Sequence, residues 1–177
     1  LNAEDRFNIV VFSTGVRVFA NEMQSPSEAN EAKTWLDSLE AIGGTNIDEA
    51  LSTALDMADA DRQTVVLFLT DGLATEGETE TAAILDNTAS TISENTRIFT
   101  FGVGDDVDTF LLDTLSQDYR GAGAYVRPLE RLDEEVSSLH HKISSAVLTN
   151  LGLTLDGIDV YEVYPYLTSH PTLFLRT

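Results

Sequence analysis

Cysteine is absent from this 177-residue chain. No disulfide and no thiolate metal site can form, and the redox compartment is left open. Lysine is almost absent: Lys33 and Lys142 are the two lysines among ten basic residues, against thirty acids. The resulting net charge of −20 repels nucleic acid and anionic membrane surfaces, and it suits cations and basic partners. A soluble acidic surface is the plain reading of that charge; a saline source is a second one. No apolar run approaches the roughly 18 residues that a membrane span needs, so no direct membrane insertion by this segment is expected. Asn-x-Ser/Thr does not occur, so glycosylation offers no clue to the compartment. The first residues, LNAEDRFNIV, show neither an initiator methionine nor a signal-peptide pattern, which reads as a piece of a longer or processed polypeptide.

Apolar residues make up 42% of the chain, enough for a buried core. FNIVVFS (7–13) and VRVFA (16–20) read as two strands of a hairpin around Thr14-Gly15. SPSEANEAKTWLDSLEAI (25–42) predicts a helix with Pro26 near its start, Trp35, Leu36 and Leu39 on one face, and Gly43 as its stop. NIDEALSTALDMADA repeats Ile47, Leu51, Ala54, Leu55 and Ala58 at helical spacing. TVVLFLT (64–70) is a continuous apolar run, as expected of a central parallel strand covered on both faces. ETETAAILDNTASTISE predicts a helix, RIFTFGVG a buried strand, DDVDTFLLDTLSQD a helix with an acidic first turn, and GAYVRPL a short strand. LDEEVSSLHHKISSAVL (132–148) reads as a last long helix. The alternation is that of a doubly wound, Rossmann-like α/β domain over residues 1–149. From about Asn150 the texture changes: LGLTLDGIDVYEVYP alternates around Asp156-Gly157, and PTLFLRT looks like a further strand, so 150–177 reads as the start of a β-rich module.

In open α/β sheets ligands sit outside the carboxyl ends of the strands. Asp71-Gly72 directly follows TVVLFLT, which puts a carboxylate there. By itself Asp71 suits an ordinary Asx-Gly turn. Thr45 lies in GGTN, 26 positions earlier, where Thr45 or Asn46 would cap the helix that begins at Ile47. Taken together, a hydroxyl and a carboxylate on two loops at one sheet edge would offer hard oxygen ligands to Mg²⁺, which binds few protein groups and keeps several waters.

The order FNIVVFST, GGTNIDEAL, VVLFLTDG, IFTFGVG resembles the von Willebrand factor type A domain over residues 5 to 148. In that family a metal-ion-dependent adhesion site takes an Asp-x-Ser-x-Ser loop, a Thr and an Asp. The resemblance carries the Thr onto Thr45 and the Asp onto Asp71, with Gly44, Asn46 and Gly72 beside the partner. More narrowly, LHHKISSAVLTNLGLTLDGIDVYEVYP is similar to the segment that follows the A domain in inter-alpha-trypsin inhibitor heavy chains and their bacterial relatives, in which a so-called VIT domain usually comes first. The departure is that no Asp-x-Ser-x-Ser precedes Thr45. The resemblance therefore implies that the family's first strand and first helix lie upstream of Leu1. It also implies a non-enzymatic binding or adhesion module in an extracytoplasmic setting. Its cation, Mg²⁺ (or Mn²⁺ or Ca²⁺), would take its last ligand from an Asp or Glu of a protein partner.

Two other readings stay open. One is a Mg²⁺-dependent α/β enzyme for phosphoester hydrolysis, with Asp71 as ligand or nucleophile. The other is a metal-independent assembly domain. His140 and His141 are adjacent on the predicted last helix and point about 100° apart, so they and His170 suit packing or surface roles. Asp105, Asp106 and Asp108 suit the first turn of a helix, TEGETET reads as an exposed acidic loop, and FGVG is too short for a dinucleotide cradle.

Overall fold

In a computed structural model, residues 1–40, 43–59, 61–126, 137, 146–148 and 173–174 are described. They fall into two compact units: Leu1–Arg62 with Leu73–Asn95, and Gln63–Gly72 with Thr96 onward.

The first unit opens with β1 (Val10–Phe12) and β2 (Val16–Val18), an antiparallel pair that matches Val10 with Val18 and Phe12 with Val16. Ser13 N–H donates to the Gly15 carbonyl, which closes the expected Thr14-Gly15 link. A 3₁₀ turn at Pro26–Glu28 leads into α1 (Ala29–Asp37). This helix stops five residues before the expected end at Ile42, because Ser38 N–H turns back onto Trp35 and Leu36 carbonyls. Trp35 lies against Phe19, which in turn stacks on Phe7, with centroids 5.7 and 6.2 Å apart. Helix α2 (Ile47–Asp56) buries Ile47, Ala50, Leu51 and Leu55 along one face and packs on α3 (Thr81–Thr91), where Ile84 and Thr88 are buried.

The second unit is a parallel sheet in the order β3–β4–β5, with β3 at Thr64–Thr70, β4 at Thr96–Val103 and β5 at Gly123–Val126. Helix α4 (Thr109–Asp118) connects β4 to β5 and packs on both. It supplies the buried Leu111, Leu112 and Leu115, and it begins at an Asp108 cap whose carboxylate accepts the Leu111 N–H at 3.0 Å. That cap accounts for one of the three aspartates of GDDVD. On β4 every residue from Thr96 to Gly102 is buried, and Phe99, Phe101, Ala124 and Val126 form one cluster.

The fold is α/β with a parallel sheet, as the alternation predicts. Strand β3 has the sequence of a central strand; among the described residues it pairs with β4 alone, and Val65, Leu67 and Leu69 are exposed, in keeping with the expected lack of a first strand. The β1–β2 pair forms a two-stranded ribbon. One expectation is corrected: Ala146–Leu148, expected to end the last helix, is strand β6, paired antiparallel with β7 at Leu173–Phe174. Pairing with a distant segment has overridden the local helical period there. Ser137 is helical as expected; the remainder of that helix, His140, His141, His170, the Asp156-Gly157 hairpin and the 149/150 boundary lie outside the described residues.

Candidate functional site

The Thr45 loop is built within the first unit. Gly43 takes φ +94°, a conformation that a β-carbon disfavours, and turns the chain toward the 13–15 link. There the Gly44 N–H donates to Thr14 Oγ1 at 3.1 Å, and the Asn46 N–H donates to the Ser13 carbonyl at 2.8 Å. Asn46 is buried and caps α2: its Oδ1 accepts the Glu49 N–H at 3.3 Å. Its Nδ2 donates to Glu49 Oε2 at 2.7 Å. The cap thus belongs to Asn46, and Thr45 is not needed for it.

The backbone of Thr45 is held by the loop that follows Asp71. Thr45 N–H donates to Thr75 Oγ1 at 2.8 Å, and the Thr45 carbonyl accepts the N–H of Thr75 at 2.9 Å and of Glu76 at 3.3 Å. The two loops interlock closely. A β-carbon at Gly44 would fall 2.4 Å from Glu76 Cγ, and one at Gly77 (φ +65°) would fall 2.5 Å from Asn46 Oδ1. With both backbone groups engaged, the half-buried Thr45 has its hydroxyl left over: among the described residues it makes no hydrogen bond.

Asp71 is placed in the second unit, at the carboxyl end of β3, as expected. The turn after the strand is not closed by its side chain. Buried Thr70 closes it, with Oγ1 donating to the Gly72 carbonyl at 3.0 Å and accepting the Gly72 N–H at 3.3 Å. Asp71 is exposed, and its carboxylate makes no hydrogen bond among the described residues. β3 and β4 run parallel with Thr70 opposite Gly102, so the Asp71 loop and Asp105 leave the sheet at the same edge.

The simple structural role expected of each candidate is therefore taken by its neighbour, Asn46 in one loop and Thr70 in the other. Gly44 and Gly72 lend backbone to these turns. A hydroxyl and a carboxylate are hard donors of the kind that Mg²⁺, Mn²⁺ and Ca²⁺ accept. They are too few to enclose a cation, and among the described residues no three His, Asp or Glu side chains cluster to do so. Thr75, Thr14 and Glu76 are the contributors that sequence reading misses. ATEG carries no motif, and their part is fixed by contact with a loop thirty positions away.

Elsewhere, Arg97 at the start of β4 is buried, 4.9 Å over the Phe99 ring, and its Nη2 has no partner among the described residues. Burial, and then the nearby Arg120 charge, pull its pKa below the usual arginine range. A polar hollow of about 210 Å³ lies beside α2 and α3, lined by Asp48, Ser52, Asn87 and Thr91; Asn87 Nδ2 donates to Asp48 there at 3.0 Å.

The von Willebrand factor type A domain family matches residues 1–125. Inter-alpha-trypsin inhibitor heavy chain H2 of Sus scrofa is 29% identical over 92% of this chain. Heavy chain H6 of Homo sapiens is 29% identical over 93%. The chain spans 19% and 14% of those two proteins' lengths. Among solved structures, a von Willebrand factor type A protein from Catenulispora acidiphila superposes with TM-score 0.68 at 22% identity, over 84% of this chain and 36% of that one. Proximal thread matrix protein 1 from the mussel byssus, with a zinc-occupied MIDAS motif, gives 0.60 at 15% identity, over 81% and 37%.

Proposed function

The chain belongs to the von Willebrand factor type A domain family, and from that membership we propose that it is part of a non-enzymatic protein-binding module whose site is centred on a divalent cation. Thr45 and Asp71 are its ligands from this chain, Asp71 through water. Mg²⁺ is the cation that best suits this small set of hard oxygen donors, and the resemblance to inter-alpha-trypsin inhibitor heavy chains supports an extracytoplasmic setting for the parent. An Asp-x-Ser-x-Ser loop encoded upstream of Leu1 supplies the remaining protein ligands, and an Asp or Glu of a protein partner supplies the last. The bound cation provides an electrophilic centre for that carboxylate. Thr45 keeps its ligand group uncharged, which leaves the centre able to attract an anion. Gly44 and Gly72 form the backbone rim beside the partner, and Asn46 holds the loop from beneath.

The observation that carries this reading is the division of labour in the two loops. Asn46 and Thr70 satisfy the cap and the turn, and the Thr45 hydroxyl and the Asp71 carboxylate remain without a hydrogen bond among the described residues. Exposed or half-buried oxygen donors so arranged are available to a ligand.

Phosphoester hydrolysis fits less well. Among the described residues of the second unit the basic side chains are Arg97 and Arg120, which precede β4 residue Ile98 and strand β5 and so lie toward the amino end of the sheet. Neither attends Asp71 at the carboxyl end, where a phosphoryl group would need charge stabilisation.

The test is calorimetric titration of the parent polypeptide, upstream residues included, with Mg²⁺ and Mn²⁺. Binding that is removed by Asp71→Ala and by Thr45→Val, with folding retained, is expected. Binding indifferent to both substitutions would sink the proposal, and EDTA-resistant partner capture would favour metal-independent assembly.

A further inference from the structure

The loop that carries Asp71 returns four residues later to hold Thr45. Thr75 engages both polar groups of the Thr45 backbone: its hydroxyl accepts the Thr45 N–H at 2.8 Å, and its own N–H donates to the Thr45 carbonyl at 2.9 Å. Glu76 N–H adds a second, longer bond to the same carbonyl at 3.3 Å. The reciprocal pair is not part of any helix or strand ladder, and Thr75 is itself exposed, so regular structure does not require a threonine there. What the pair does accomplish is to fix φ and ψ around one residue. A side-chain ligand emerging from a pinned Cα loses less freedom on binding than one on a mobile loop.

We propose that Thr75 is a positioning residue for Thr45, holding the Thr45 backbone so that its hydroxyl is presented ready to ligate a divalent cation. The inference rests on the cation reading of Thr45 given above. It adds that one loop does two things: Asp71 gives a ligand and Thr75 orients the other. A change in the 71–77 loop, such as one brought about by a partner touching Gly72 or Glu76, is then felt at Thr45 through these bonds. Gly44 and Gly77 complete the mechanism sterically. Neither position admits a β-carbon without displacing Glu76 or Asn46 from the interlocked loops.

The experiment uses the parent polypeptide with Thr75→Val, which keeps the shape and removes the acceptor, and Thr75→Ser, which keeps the acceptor. Mn²⁺ affinity is measured by calorimetry, and the exchange rate of the Thr45 amide is measured in the absence of cation. The Thr75→Val variant is expected to lose about three- to tenfold in affinity, the worth of one net hydrogen bond, and to exchange the Thr45 amide faster. Thr75→Ser is expected to restore both. Wild-type affinity in Thr75→Val, or an unchanged Thr45 exchange rate, overturns the positioning role. Failure of the wild-type polypeptide itself to take up Mn²⁺ overturns the cation reading, a result distinguishable from the first. Should Thr75→Val not fold, the Thr75→Ser and Thr75→Ala pair decides: wild-type affinity in Ser and a drop in Ala supports the clamp, and equal affinity in wild type, Ser and Ala overturns it.

Discussion

Leu67 on β3 and Phe99 on β4 stand side by side in register, and Phe99 is fully buried while Leu67 keeps 46% of its surface exposed. Val65 and Leu69, two residues to either side on the same face, are 43% and 47% exposed. An apolar row on an edge strand is a template for association, because greasy surface is on offer.

Self-association of the isolated 177-residue chain should accordingly depend on this row. Leu67→Thr with Leu69→Thr keeps β propensity and removes apolar surface. In light scattering across a dilution series, the unsubstituted chain is expected to shift to larger species with concentration and the double variant to remain smaller. Identical behaviour of the two would show that the row does not drive association. Because both side chains are half exposed, stability should move by only about 0.5 kcal/mol per site.

Asn46 caps α2 and is buried among groups it satisfies. Asn46→Ala is expected to cost about 1–2 kcal/mol, and Asn46→Ser less, since serine keeps a capping acceptor without setting a second carboxylate against Glu49. Urea unfolding followed by the fluorescence of Trp35, the chain's single tryptophan, which lies in the same unit, reads this directly. Equal midpoints for Ala and Ser variants would contradict the cap.

Gly121 lies so close to β4 that a β-carbon would sit 1.7 Å from the Ile98 carbonyl oxygen, and its N–H donates to the Ser116 carbonyl at 2.8 Å. Backbone cannot yield as a flexible side chain does, so Gly121→Ala should destabilise by about 3 kcal/mol or more. Gly15→Ala is the contrast: nothing lies within 4 Å of its β-carbon, and a neutral or slightly stabilising effect of about 0.5 kcal/mol is expected. Circular dichroism melts of the two variants would separate them, and a similar Tm for both would contradict the close approach.

The Tyr125 hydroxyl donates to Asp113 Oδ1 at 2.6 Å and also lies 3.2 Å from the Thr109 carbonyl. Burial first, then the bond to Asp113 and the Asp113 and Asp108 charges, raise its pKa well above the ordinary phenol value. A group whose pKa is raised on folding contributes stability that is fully present below its unfolded pKa, about 10 for tyrosine, and is lost as pH rises beyond it. Denaturant midpoints should therefore fall above pH 10, and Tyr125→Phe should flatten that fall. Tyr119, raised by burial and Asp118, leaves a residual slope. An unchanged alkaline slope in Tyr125→Phe would remove Tyr125 from this account.

Much of this architecture was legible in local patterns. TVVLFLT forms a strand over its full length, Ile47, Leu51 and Leu55 line the buried face of α2, and Asp108 caps α4 at the acidic turn. Period and cap chemistry act over a few residues, so they survive in the sequence. The resemblance to the type A family was legible for the same reason: the elements and their connecting loops come in a fixed order. The 146–148 segment was misread because its strand partner, Leu173–Phe174, lies some 25 residues on.

The sequence by itself determined an acidic, cysteine-free α/β chain with Thr45 and Asp71 at the ends of their segments. It could not say which neighbour would cap a helix or close a turn, since Thr45 and Asn46, or Asp71 and Thr70, are chemically able to do either. Tertiary structure decided that, by burying Asn46 and Thr70 and by bringing Thr75 against Thr45. Hydrogen bonds between loops thirty residues apart leave no periodic trace, and only the folded chain brings their partners together.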